Sequence, residues 1–206
     1  MADRKNLPSE TRRLRTVEAV VALCAREDPA TVTTERIARR MRVTQGALFR
    51  HFPNKDAIWE AVLSWVGDRV LGRIVAAGEE CEDPLKALEA MFMTHIRFIA
   101  KHPGVPRILL GQLQTPRPTP AKRMVRSLLK QYGGHIEQHL ERARKAGHLR
   151  SEIDTAAAAV HFIGTLQGLV LQSLIAGNIR QIVVQAPAAF DIFLNGIRKH
   201  EPVKDD

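Results

Sequence analysis

Apolar residues recur along this chain at intervals of three and four, and no stretch holds the strict alternation of a half-buried strand. That pattern predicts an all-α protein. Leu14, Val17, Val21 and Cys24 share one face of a first helix, which Asp28-Pro29 brings to an end. Thr33 or Thr34 is placed to cap a short second helix holding Ile37, Ala38 and Met41. Thr44 is placed to cap a third helix running to about Phe52, where Pro53 stops it by lacking an N–H donor. Asn54 can cap a long fourth helix carrying Ile58, Val62, Trp65, Val66 and Val70.

An acidic break follows at Glu79-Glu80-Cys81-Glu82-Asp83-Pro84, and Asp83 before Pro84 is a strong helix start. Further helices are expected to about His102, from Pro106 to Leu113, from Thr119-Pro120 to near Gly147, from Thr155 to Ala176, and from Pro187 through Lys199, with a proline-rich loop at 115–120. About nine helices result. They divide into an N-terminal three-helix head over residues 1–55, a connecting helix over 56–82 and a helical domain over 83–200.

Within 33–55, two short helices flank a turn at Met41-Arg42-Val43. Ile37, Ala38, Met41, Val43, Leu48 and Phe52 are spaced to pack on the first helix. Thr44, Gln45, Gly46, Ala47, Arg50 and His51 are left outward. Such a face suits the major groove, where short polar and apolar groups read base edges while cations hold phosphates. Charge supports that reading. The chain has 31 Lys and Arg against 22 Asp and Glu, a net +9. Residues 1–55 hold twelve of those cations against six acids, so a quarter of the chain carries two thirds of the excess. Arg4, Lys5, Arg12, Arg13 and Arg15 form a basic arm and first turn, open to phosphates, a minor groove or solvent.

Residues 11–66 resemble the DNA-binding domain of the TetR (tetracycline-repressor-like) family. The residues that carry the resemblance are Thr33, Thr34, Ile37, Ala38, Val43, Gly46, Leu48, His51, Phe52 and Lys55. It implies that Gln45, Ala47 and Arg50 face base edges, that Gly46 lets the helix sit close to DNA, and that Thr34, Phe49, His51 and Lys55 occupy phosphate-contacting positions. Three positions depart from the family. Arg42 stands where glycine is usual in the turn, Phe49 stands where tyrosine is usual, and Cys24-Ala25 replaces an aromatic. A left-handed Arg42 would cost about 1 kcal/mol. Phe49 also reads as partly core, and His51 as a capping or packing residue.

Thr155 to Ile179 carries no charge and is long enough to cross a bilayer, but His161, Thr165, Gln167, Gln172, Ser173 and Asn178 make it too polar for a lone span. It reads instead as a helix buried on all sides. Ala157, His161, Gly164, Gly168 and Gln172 form a small or polar stripe on it, and Phe190, Phe193, Leu194 and Ile197 an apolar stripe on the last helix. The resemblance implies that these two helices form a four-helix homodimer interface. It also implies a small-molecule effector in an apolar cavity, with Phe92, His95, Ile96, Ile99, Leu110, Leu113, Leu128, Tyr132, Phe162 and Leu166 as candidate lining; ordinary core is the competing reading for each.

Other classes find little support. The chain lacks GxSxG, HExxH, GxGxxG and GxxxxGK(S/T), which argues against an enzyme. His135 and His139 are one turn apart without a third metal ligand, so no metal or other cofactor is expected. Cys24 and Cys81 form no CxxC, and MADRKNLPSETRR lacks an apolar signal run, which suits a cytoplasmic, reduced protein. The expected function is a DNA-binding transcription regulator, a repressor released from its double-stranded operator by a ligand. The alternative is a basic helical adaptor at a membrane surface.

Overall fold

A computed structural model describes residues 9–114, 116 and 118–199. Arg4 and Lys5 of the basic arm lie outside the described residues. The helices are α1 (Ser9–Cys24), α2 (Thr34–Met41), α3 (Gln45–Phe49), α4 (Lys55–Val66), α5 (Gly72–Glu79), α6 (Pro84–Lys101), α7 (Gly104–Gln114), α8 (Pro120–Lys145), α9 (Thr155–Ile175) and α10 (Gln181–Ile197). A 3-10 turn at Pro29–Thr31 follows α1, and a π-helical turn at Gly67–Leu71 joins α4 to α5. The chain stays helical from Lys55 to Glu79. Among the described residues the fold is all-α, apart from one antiparallel bridge between Leu149 and Arg198.

Cap chemistry sets most boundaries. Thr33, Thr44, Asn54 and Asp154 each accept a backbone N–H two or three residues ahead, which satisfies donors the helix cannot. Asp83 does the same for Leu85 and Lys86. Gly147 (φ 73°) and Gly177 (φ 68°) close α8 and α9 in the left-handed region. Pro187 departs from expectation: it lies inside α10, which starts six residues earlier at Gln181. Its ring is exposed, so the lost donor costs a hydrogen bond without disturbing packing.

The chain forms two compact units, Met1–Arg69 with His102–Leu128, and Val70–Lys101 with Leu129–Asp206. These cut the chain differently from the linear order 1–55, 56–82 and 83–200. In the first unit α1 is the hub, packing on α2, α4 and α7. Val17, Val20, Val21, Ile37, Leu48, Phe52, Ile58 and Val62 form its core. Gly104 lets α7 meet α1 closely, for a Cβ there would fall 2.0 Å from the Val21 carbonyl oxygen. In the second unit α6 packs on α5 and α10, and α10 on α9. Its core is aromatic: Phe92, Phe162, Phe190 and Phe193 meet at centroid distances of 5.2 to 6.3 Å, mostly edge to face.

That core corrects one expectation. Phe190, Phe193 and Ile197 are buried within the subunit and Leu194 is half-buried, so they are not free to form an interface with a second copy. The exposed apolar stripe of α10 is the opposite one, with Val184 at 78% and Ile192 at 74% exposure. On α9, Ala157, His161, Gly164 and Gln172 are exposed and Gly168 is half-buried, alongside exposed Val160, Leu171 and Ile175. Alpha9 is long and apolar enough to cross a membrane by composition alone, and a third of its most apolar window is buried in the subunit.

Candidate nucleic-acid interface

The expected reading head is built from α2 and α3. Ile37 and Ala38 of α2 and Leu48 of α3 are buried, and α2 packs on both α1 and α3. The turn between them depends on Arg42, the one non-glycine residue with positive φ among those described (φ 57°, ψ 44°). Its N–H and that of Val43 return to the Arg39 and Ala38 carbonyls at 3.1 and 3.0 Å. This is the backbone a glycine would adopt without strain.

Thr44 then starts α3, its hydroxyl accepting from the Ala47 N–H at 3.2 Å. The outward residues are Thr44, Gln45, Gly46, Phe49 and Arg50, with Ala47 half-buried beneath them. Gln45 Nε2 donates to Thr34 Oγ1 at 2.7 Å, which ties the first residues of α2 and α3 together. A Cβ on Gly46 would meet nothing within 4 Å. No internal packing therefore demands glycine there. Phe49 is 41% exposed and belongs to the surface more than to the core. Val43, expected inward, is 42% exposed beside it.

His51 and Lys55 flank this face. His51 Nδ1 lies 3.5 Å from Ser9 Oγ, and its Nε2 3.5 Å from Arg12 Nη1. Arg13 donates to the His51 carbonyl at 3.0 Å and stacks over Phe52 at 4.7 Å. It thus ties α1 to the end of α3, a role that its position in a basic run did not disclose. Lys55 Nζ sits 5.6 Å over the Trp59 ring at the start of α4. Of the remaining cations, Arg36 pairs with Glu27 at 2.7 Å and Arg39 with Glu35 at 2.6 Å. Arg50 stands exposed at the end of α3.

The expected effector lining divides. Phe92, His95, Ile96, Ile99, Tyr132, Phe162 and Leu166 belong to the second unit, all buried except half-buried His95. Leu110, Leu113 and Leu128 belong to the first unit and are not part of this cluster: the first two are 37% and 38% exposed, and Leu128 packs at Gly67. A surface groove of about 240 Å³ between α5 and α6 is lined by Val70, Arg73, Ile74, Thr94, Arg97, Phe98 and Lys101, none of them among the expected lining. Among the described residues no three metal-ligating side chains converge. His139 is held below the usual histidine range by burial and by neighbouring Arg142 and His135.

Comparison with known proteins gives this geometry its context. Residues 17–62 match the family model for bacterial regulatory proteins of the tetR family, and residues 84–186 that for a tetracyclin repressor-like C-terminal domain. The nucleoid occlusion factor SlmA of Shewanella pealeana is 25% identical over 169 residues, covering 80% of this chain and 84% of that protein. Two solved structures share the fold. The ketosteroid transcriptional regulator KstR2 of Mycobacterium tuberculosis has a TM-score of 0.75 at 22% identity, covering 92% of this chain and 96% of that one. The regulator FadR of Bacillus subtilis, solved with stearoyl-CoA, has a TM-score of 0.77 at 17% identity, covering 89% and 98%. With both halves of the chain matched, this protein belongs to the TetR family of DNA-binding transcriptional regulators.

Proposed function

We propose that this protein is a cytoplasmic homodimeric repressor that reads a double-stranded operator with α3 and releases it when a small molecule occupies the core of the second unit. The observation that carries the first part is the outer face of α3. Gln45 and Arg50 are exposed, and the open space over Gly46 leaves room for the edge of a groove. Gln45 and Ala47 suit base edges, while Thr34, Phe49, His51 and Lys55 line the path of a phosphate backbone. The exposed apolar stripes of α9 and α10 supply the surface for a second copy. Two-fold pairing would set the two α3 helices roughly 34–36 Å apart, one turn of DNA. The bound stearoyl-CoA of the FadR structure supports a ligand-responsive reading without identifying the ligand here. Membrane-surface attachment is not favoured, because the family assignment accounts for both the basic head and the apolar helices.

Selection of bound fragments from random duplex DNA tests the proposal. The expected product is a palindromic site whose half-sites are about ten base pairs apart, centre to centre. Recovery of no preferred sequence would overturn it.

A further inference from the structure

Among the buried polar atoms of the second unit without a hydrogen-bond partner are Nδ1 of His95 on α6 and the hydroxyl of Tyr132 on α8. Their rings meet edge to face, with centroids 5.3 Å apart. Tyr132 is 5% exposed. Around them the walls are apolar: Phe162 lies 6.2 Å from Tyr132 and 5.2 Å from Phe92, and Ile96 and Ile99 follow on α6. A buried polar group left unpaired is costly, and two in contact are uncommon in a native core. Such a pair points to a third group that satisfies both.

We infer that the effector is an uncharged, largely apolar or aromatic molecule bearing one hydroxyl, which donates to His95 Nδ1 and accepts from the Tyr132 hydroxyl. The inference rests on the reading that the second unit holds the effector. With the imidazole proton on Nε2, Nδ1 can only accept, so a hydroxyl, donor and acceptor at once, satisfies both groups, whereas a ketone oxygen, which only accepts, would leave Nδ1 unpaired. Charge argues the same way. No Lys, Arg, Asp or Glu is among the buried residues described, so a carboxylate or ammonium would enter this core without a counter-ion. Burial holds His95 down to about 4 and pushes the Tyr132 phenol up, so at neutral pH neither supplies that charge.

The test uses the full-length protein and three probes of one shape: 2-naphthol, naphthalene and 2-naphthoate. Affinities are measured by titration calorimetry, and the binding site is located by chemical-shift changes. The expected result is that 2-naphthol binds at the α6–α8 core about tenfold or more tighter than either of the others, a factor in keeping with one or two neutral hydrogen bonds. Tyr132→Phe and His95→Leu, each checked for folding by circular dichroism, should each bring the naphthol-to-naphthalene ratio down about fivefold. If 2-naphthoate binds at this core as tightly as 2-naphthol, or if the ratio survives both substitutions, the hydroxyl inference is wrong while the effector site stands. If no probe binds at this core, the effector-site reading fails with it.

Discussion

Three single residues carry physical consequences that can be measured apart from one another. Arg42 holds a left-handed backbone that glycine adopts freely, so Arg42→Gly should stabilise the head by about 1 kcal/mol in urea unfolding, provided its side chain makes no compensating contact. Gly46 has open space where a Cβ would stand. Gly46→Ala should therefore leave thermal stability unchanged or slightly higher, yet weaken DNA binding, measured by fluorescence anisotropy. Loss of stability would show instead that the glycine serves the fold. His95 acts through pH. Its folded pKa of about 4 lies below the usual 6.5, so the unfolded chain binds a proton first as pH falls. Stability is full above about 6.5 and drains away toward 4, by on the order of 2 kcal/mol between pH 7 and pH 5. His95→Leu should flatten that slope, with His139 supplying what remains.

At the scale of elements, the close approach of α7 to α1 through Gly104 is the most demanding contact. A methyl group there would meet backbone atoms that cannot turn aside, so Gly104→Ala should destabilise the protein by about 2 kcal/mol or more, read as a lower urea midpoint with unchanged m. That contact also shows where sequence reasoning stops. The helix end near His102 was legible, but the reason for the glycine at 104 lies in Val21, more than eighty positions earlier. Local signals served well where the chemistry is local: Thr44, Asn54 and Asp83 cap as their spacing suggests, and of Thr33 and Thr34 it is Thr33 that caps α2. Pro187 misled because a proline at a helix start and an exposed proline inside a helix look alike without knowing which way it faces. Alpha10 misled for a related reason. It is apolar on two faces, and only packing shows that the phenylalanines fill the core while Val184 and Ile192 are left outside. The outward set on α3 was legible because the buried residues around it are few and regularly spaced, whereas Arg13 as a tie to α3 needed the third dimension.

At the scale of the whole molecule, the proposed function needs the exposed stripes of α9 and α10 to pair two copies and the face of α3 to meet DNA. Val184→Glu with Ile192→Glu should convert a dimer to a folded monomer in sedimentation, since both side chains already face solvent in the subunit. Phe193→Glu should instead unfold the second unit, because that ring is buried beside Phe162 and His161. Monomers would present one reading helix and lose most of the affinity for a two-fold site. The central claim is that α3 enters the major groove with Gln45 toward the bases. It is tested most directly by repeating the random-duplex selection with Gln45→Ala and Lys55→Ala beside the wild type. Base preference within each half-site should change for Gln45→Ala, while Lys55→Ala keeps the same preferred site and binds all sequences more weakly. An unaltered preference with Gln45→Ala would contradict the claim.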